Sequence, residues 1–223
     1  TQVLDAGSAT GATSNGGKED WALFSYFGRV NYSYEDKYLV TATVRRDGSS
    51  RFGPGNRFGT FPSASVAWRI SKENFFSPLT FINDLKLRAG YGETGNQEIG
   101  SNYPYASSLA ISNTSFNNTS VQMVYPLAMP NYGIHWETVK QTNIGFDASV
   151  LDNRIKLSVD GFVKNTTGML VRGVVIITTG YDNKDDVNRP YVNAGKMQNK
   201  GFEVAVESQN LKGDLTWTTS LNL

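Results

Sequence analysis

Between Ala22 and Arg46 the chain spells two amphipathic strands joined by Glu35-Asp36-Lys37, and this stretch restricts the possible folds more than any other. In the first strand Ala22, Phe24, Tyr26, Gly28, Val30, Tyr32 and Tyr34 share one face. Ser25, Arg29, Asn31 and Ser33 take the other, together with Leu23 and Phe27. After the turn, Tyr38, Val40, Ala42 and Val44 resume an apolar face opposite Thr41, Thr43 and Arg45. Side chains alternate across a strand, so the two faces meet different surroundings. The strands are long for a water-soluble hairpin, and aromatic residues crowd the turn. A wall with lipid on one side and water on the other fits that pattern.

The same alternation recurs along the chain. A third strand is expected near Thr60–Ile70, with Ala64, Val66, Trp68 and Ile70 on one face, and a fourth over Asp84–Tyr91, with Leu85, Leu87, Ala89 and Tyr91. Thr142, Ile144, Phe146, Ala148 and Val150 then precede a turn at Leu151–Arg154. Ile155, Leu157, Val159, Gly161 and Val163 follow it. A last hairpin sets Phe202, Val204 and Val206 against Leu215, Trp217 and Leu221. The N-terminal stretch through Asp20, residues 47–59, 92–135 and 166–199 read as loops. Short connections near 35–37, 151–154 and 209–214 thus alternate with long ones, with an intermediate connector at 71–83 where a short one is due, the asymmetry of membrane barrels with short periplasmic turns and long external loops. Strand charge falls almost wholly opposite the aliphatic face, as it must where an inward-pointing Lys or Arg avoids a midplane cost of about 2–4 kcal/mol.

Composition removes several function classes. Twenty-one Lys+Arg against 20 Asp+Glu leave a net charge of +1, without the basic excess of a nucleic-acid binder. No cysteine is present, which excludes disulfides and thiolate metal sites and fits an oxidising envelope compartment. No stretch reaches the roughly 18 apolar residues of a membrane-spanning helix. The longest aliphatic run is Val174-Val175-Ile176-Ile177, and mean hydropathy is −0.36. Thr1 follows no visible signal peptide, which reads as the interior of a longer protein or a processed start.

Several blocks resemble a family. Ser25-Tyr26-Phe27-Gly28-Arg29-Val30-Asn31-Tyr32, then Tyr38 through Gly53, then Leu87-Arg88-Ala89-Gly90-Tyr91-Gly92-Glu93-Thr94-Gly95-Asn96-Gln97 are similar to the barrel of SusC/RagA-type TonB-dependent transporters of Bacteroidota. So are Trp136-Glu137-Thr138 with Gln141-Thr142-Asn143-Ile144-Gly145, and Asn193 through Glu203. The resemblance implies outer-membrane import of glycans or peptides, a SusD-like surface lipoprotein, and energy from the TonB complex. It also implies that residues 1–223 are a partial barrel domain: no plug domain, TonB box or closing strands are recognisable. The expected fold is all-β, an antiparallel transmembrane β-barrel segment of about eight strands from a barrel of about 22. Open edges are unstable in lipid, so the missing strands are expected on the same polypeptide.

Candidate sites are sparse. Gly90-Tyr91-Gly92-Glu93-Thr94-Gly95 matches G-x-G-x-x-G, but no helix or ribose-binding acid follows, so a strand-to-loop transition is expected rather than a nucleotide site. Asp182-Asn183-Lys184-Asp185-Asp186 lacks the glycine and closing glutamate of an EF-hand and reads as a solvated loop. His135, the single histidine, can build neither a zinc site nor a catalytic triad here, so no metal, cofactor or enzyme chemistry is expected. Asn31, Asn113, Asn117, Asn118 and Asn165 begin N-x-[ST], a pattern frequent by chance. Tyr32, Tyr34 and Tyr38 suit an interfacial girdle. Substrate contact is assigned to Tyr103, Tyr105, Asn117 and Tyr132 in a long loop and to Arg88 in the lumen, because flat aromatic faces beside amides suit sugars or peptides; self-packing of the loop is the competing reading. Inward Arg29, Arg45, Lys86, Arg88, Asp147, Lys156 and Asp160 could touch solute, or pair across a wet lumen or against the plug. The alternative to an importer wall is a soluble all-β carbohydrate-binding module such as a lectin-like sandwich, which would bury its apolar faces together.

Overall fold

A computed structural model describes residues 18–107, 109–126, 129–174 and 189–223. The acidic cluster Asp182–Asp186 lies outside them. Twelve strands are described: β1 Leu23–Tyr34, β2 Tyr38–Ser49, β3 Phe58–Arg69, β4 Ile82–Asn96, β5 Leu109–Phe116, β6 Thr119–Pro126, β7 Glu137–Val150, β8 Ile155–Thr167, β9 Leu170–Arg172, β10 Tyr191–Asn193, β11 Lys196–Leu211 and β12 Trp217–Asn222. Eight of them form one sheet in the order β1-β2-β3-β4-β7-β8-β11-β12, each neighbour antiparallel. β5-β6 and β9-β10 are separate two-stranded ribbons. β1 and β12 are the open edges of the eight-stranded sheet. The eight expected strands are therefore present, in a single layer, with no second sheet packed on it among the described residues. The strands outrun their sequence signal: β4 continues through Asn96 where a loop was expected, and β5-β6 fills part of the irregular stretch expected over 92–135.

Register keeps every apolar face on one side. Val30 lies opposite Ala42, and Tyr32 opposite Val40; Val40 then meets Val66, Val66 meets Ala89, Ala89 meets Ile144, Ile144 meets Gly161 and Gly161 meets Phe202. A row below, Tyr38, Trp68, Leu87, Phe146, Val159 and Val204 line up in the same way. These side chains are not covered by protein: Val30 is 68%, Ile144 67% and Phe202 76% exposed. So large a face stays out of water only if a second apolar phase covers it, and lipid supplies one. On β8 the outward apolar run from Ile155 to Val163 rises about 26 Å at about 3.3 Å per residue. With strands tilted about 40°, that becomes about 20 Å, near the height of a barrel's apolar band. Beyond it the same face turns polar, with Asn165 on β8, Gln198 on β11, and Lys140 on β7 paired to Glu93 on β4 at 3.3 Å.

The short connections gather at one end and are bonded to each other. Glu35 and Asp36 adopt left-handed backbone (φ 51 and 53), the geometry of a primed hairpin turn, and Lys37 N–H donates to the Tyr34 carbonyl at 2.9 Å. Two single-turn 3-10 helices, Ile70–Lys72 and Asn74–Phe76, carry the chain from β3 toward β4. Between them Glu73 reaches back: its Oε1 accepts from the Tyr38 hydroxyl at 2.7 Å and the Trp68 indole at 3.1 Å, and Lys37 Nζ lies 3.6 Å from Oε2. Tyr34 and Tyr38 rings stack at 6.4 Å. The aromatics around this turn therefore keep their rings on the apolar face, and Tyr38 and Trp68 aim their polar atoms at the turn, which is girdle geometry.

Two outcomes follow from this wall. Phe146→Arg, at the middle of the lipid-facing run opposite Val159, costs about 2–4 kcal/mol, whereas Asn143→Arg on the opposite face changes stability by less than about 0.5 kcal/mol; guanidinium unfolding of the complete barrel protein in phospholipid bilayers measures both. At the turns, donation by Tyr38, then Trp68, with the Lys37 charge beside it, holds the Glu73 carboxyl below its ordinary value. A depressed carboxyl pKa adds stability above the ordinary carboxylate range and loses it as pH falls through the folded value. Glu73→Gln is therefore expected to lower the thermal midpoint at neutral pH and to flatten its fall on acidification, read from heat-modifiable gel mobility across pH.

Candidate functional site

The face opposite the lipid side is polar and neutral over much of its area. Asn31 and Thr41 are hydrogen-bonded at 2.9 Å, and Arg29 Nε donates to Thr43 at 3.1 Å. Next to them Ser63 and Ser65 on β3 pair with Gly92 and Gly90 on β4, which pair in turn with Gln141 and Asn143 on β7. A Cβ on Gly90 would lie 3.6 Å from Ser65 Cβ, and one on Gly92 3.3 Å from Ser63 Cβ. The two glycines thus hollow the wall into a trough of about 340 Å³ bordered by Thr41, Ser63, Ser65, Gln141 and Asn143. This accounts for the Gly90-x-Gly92 pattern without a nucleotide: glycine removes side chains where something must come close to the backbone. Hydroxyls and amides around it can donate and accept hydrogen bonds but carry no charge.

Much of the charge on this face is gathered nearer the short turns, and part of it is paired. Arg88 donates to both Asp147 oxygens at 2.9 Å, to Asp160 at 2.9 Å and to Ser158 at 3.2 Å, and Lys86 lies 2.8 Å from Asp147. Lys156 meets Glu207 at 2.9 Å, and above the trough, toward the loop end, Arg45 meets Asp47 at 2.7 Å. Of the two uses foreseen for these groups, pairing within the wall is the one their geometry displays.

The long connections build a different structure at the opposite end. Phe52, Phe61, Ile99, Ile134 and Trp136 form a buried apolar cluster, with Tyr105, Leu170 and Tyr191 packed against it. Trp136 lies 5.2 Å from the Phe52 ring and 5.5 Å, edge-on, from Phe61, and its indole donates to the Arg57 carbonyl at 3.0 Å. Arg51, only 8% exposed, sits beside the cluster over the Trp21 ring and is bonded to Glu98 at 3.0 Å. Asn193 clamps two loops together: it accepts from His135 N–H at 2.9 Å and donates to the carbonyls of His135 and Gly168 at 2.7 and 2.9 Å. His135 is thus a structural residue in this clamp. No group of three or more acidic or histidine side chains suited to a metal ion occurs among the described residues.

The five expected contact residues separate into three places. Tyr105 lies against Gly53, about 3.5 Å from a Cβ there, and against the buried cluster. Tyr103 donates to the Asp20 carbonyl at 3.0 Å, and the Tyr132 carbonyl accepts from Asn56 at 3.1 Å while its ring is exposed. These three tyrosines border the loop at 50–57 and share one end of the molecule. Asn117 is apart, in the turn of the β5-β6 hairpin, just beyond a strand that extends about 23 Å from Leu109 to Phe116. Arg88 lies in the wall. Sequence reading missed the trough and this hairpin. Asn117-Asn118, left-handed at φ 50 and 56, is the signal that could have found the hairpin, since primed turns favour such residues. It also passed over the absence of any Asp, Glu, Lys or Arg between Glu98 and Glu137, a long uncharged stretch containing Tyr103, Tyr105, Asn117 and Tyr132.

Comparison with known proteins agrees with this architecture. Residues 2–223 match the family described as TonB dependent receptor-like, beta-barrel. The chain is 41% identical over 202 residues to TonB-dependent receptor P39 of Formosa agariphila, covering 90% of this chain and 18% of that protein. It is 36% identical over 206 residues to TonB-dependent receptor SusC of Bacteroides thetaiotaomicron, covering 90% and 20%. The chain therefore spans about a fifth of the length of these relatives. Among solved structures, the RagAB peptide importer in its open-open state superposes with a TM-score of 0.79 at 28% identity, over 91% of this chain and 21% of that one. The siderophore receptor PirA of Pseudomonas aeruginosa, at 16% identity and a TM-score of 0.56, shares the fold.

The loop-end cluster gives a direct test. A Cβ on Gly95 would overlap the Phe61 ring. Gly95→Ala is expected to cost about 1–3 kcal/mol through overpacking and to speed proteolytic nicking of the long connections, with Phe61→Leu in the same chain recovering part of the loss; thermal unfolding and timed proteolysis of the complete protein measure both.

Proposed function

This chain belongs to the TonB-dependent receptor-like β-barrel family of the bacterial outer membrane, and on that premise we propose that it is one stretch of wall and external loops of an importer for uncharged oligosaccharides or peptides. The wall does no covalent chemistry. It separates lipid from an aqueous lumen, and its long connections form the external rim that solute meets first. The observation that carries the solute class is the uncharged stretch between Glu98 and Glu137, together with the neutral trough at Gly90 and Gly92. A rim selecting an ionic solute needs opposite charges placed to replace its water, because an ion stripped of hydration without a partner is costly. Between Glu98 and Glu137 the exposed polar groups are chiefly tyrosine rings, amides and hydroxyls, which stack on and hydrogen-bond to neutral polar solutes. Tyr103, Tyr105, Asn117 and Tyr132 are the proposed rim contacts. Arg88, held by two carboxylates, is proposed to meet solute only through that network.

The remaining machinery lies in the whole polypeptide and its partners. We place the plug, the segment that engages the TonB complex and the closing strands outside these residues, and a SusD-like lipoprotein over the rim. The similarity to the SusC receptor and to the RagAB importer supports that assembly.

In cells producing the complete protein, Tyr103→Ala with Tyr132→Ala is expected to weaken binding and uptake of the transported neutral oligosaccharide by at least about fivefold, the effect of removing one significant contact, at unchanged outer-membrane abundance. Uptake at the wild-type rate by the double variant, or equal competition by a polyanionic oligosaccharide, would overturn the assignment.

A further inference from the structure

The lipid face is uneven beside the girdle. A groove of about 450 Å³ crosses β2, β3, β4 and β7 over Val66 and Ala89, with Val40, Trp68 and Ile144 as its walls and Tyr38 at its mouth. Ala89 is the short side chain in the row Val40, Val66, Ala89 and Ile144, and its methyl makes the depression. All four strands are interior ones at this level. β1 pairs with β2 beside Tyr38 and Val40, and β8 pairs with β7 beside Ile144, so hydrogen-bonded neighbours flank the groove on both sides. Its two ends differ in depth. Tyr38 is the first residue of β2, next to the turn, whereas Ile144 lies about 20 Å along β7 from Val150. The short turns share one end of the wall, so the groove leads from the girdle into the apolar band.

The mouth is charged. Tyr38 and Trp68, which line the groove, are the two residues that donate to Glu73. Lys37 Nζ lies 3.1 Å from Glu35 and 3.6 Å from Glu73, with its side chain only 19% exposed, so its charge is already engaged. Asp36, whose side chain is 70% exposed, meets the half-exposed Lys72 at 3.8 Å. Glu35, Asp36 and Glu73 thus outnumber Lys37 and Lys72 around this opening. An alkyl chain entering the groove places its head beside this mixed set, where carboxylates predominate and one lysine remains accessible.

We propose that the groove and its mouth form a site for one phospholipid with a primary-ammonium headgroup in the periplasmic leaflet. An acyl chain lies over Val66 and Ala89 against Trp68 and Ile144. The ammonium donates to Glu35 and Asp36, and the phosphate faces Lys72. A primary ammonium brings N–H donors for charge-assisted bonds to carboxylates. A choline head has no such donor, and a glycerol head adds only negative charge beside the carboxylates. The site lies on the membrane side of the wall and is independent of the imported solute.

The test uses the complete receptor, delipidated in detergent and offered phosphatidylethanolamine, phosphatidylcholine or phosphatidylglycerol with identical acyl chains, with retained lipid counted by native mass spectrometry. The wild type is expected to retain phosphatidylethanolamine in preference to the other two. Glu35→Asn with Asp36→Asn keeps side chains that suit a left-handed turn. It is expected to lower the preference for phosphatidylethanolamine over phosphatidylcholine about fivefold, the upper range for an exposed charge pair. Ala89→Leu fills the groove and reduces retention of all three lipids. Heat-modifiable gel mobility confirms that each variant is folded, and the double variant decides the matter alone should Ala89→Leu not fold. Equal retention of phosphatidylethanolamine and phosphatidylcholine by the wild type, stronger retention of phosphatidylglycerol, an unchanged preference in the double variant, or undiminished retention by folded Ala89→Leu would overturn the site.

Discussion

A strand surrounded by lipid has no water to satisfy its backbone, so each N–H and C=O must find the neighbouring strand. The rest of this structure depends on that requirement. It forces continuous ladders from β1 to β12, and continuous ladders leave register as the sole freedom. A slip of one residue would exchange the faces, turning Arg29, Lys86 and Arg88 into lipid and Val30, Leu87 and Ile144 into the lumen. The penalty for each misplaced cation is large enough that the hydrophobic pattern alone pins the register. The observed pairing keeps one parity across the whole sheet, with Val66 meeting Ala89 and Ala89 meeting Ile144.

The same requirement explains what was legible in the sequence. Strand centres were readable because the two solvents write an alternating pattern there: Leu85 to Tyr91 and Ile155 to Val163 are unmistakable. Strand ends were not, because beyond the band both faces meet water or other loops while hydrogen bonding continues. β4 runs on through Glu93 and Gly95, and β11 begins at Lys196, with no alternation to announce it. The resemblance of the Gly90–Gln97 and Asn193–Glu203 blocks to the family carried information that periodicity lacked there.

The site was harder to read for a related reason. The trough is made from side chains that are missing, Gly90 and Gly92, and bordered by Ser63, Ser65, Gln141 and Asn143, which the chain brings together only by pairing three strands. Among the proposed contacts, Tyr105 packs against the buried cluster, so the loop's self-packing is observed there. Pairing was one of two readings open for Arg88, but its partners could not be named from sequence, because Asp147 and Asp160 come from the next two strands of the sheet, β7 and β8.

The placement of buried apolar residues shows how labour divides in this chain. Within the wall, apolar side chains face outward and stay uncovered by protein, so lipid and backbone pairing hold it rather than a core. The described cluster of Phe52, Phe61, Ile99, Ile134 and Trp136 lies instead at the loop end, where water surrounds the chain and burial again provides a driving force. The long connections therefore carry their own small core, tied at its margin by Arg51 and Asn193, and present Tyr103 and Tyr132 from a packed base. Two objects stabilised by different solvents share one polypeptide. Changes on the lipid face act on the wall, changes in the cluster act on the rim, and β4 couples them, since it contributes Leu87 to the lipid face, Gly90 and Gly92 to the trough, and Gly95 to the contact with Phe61.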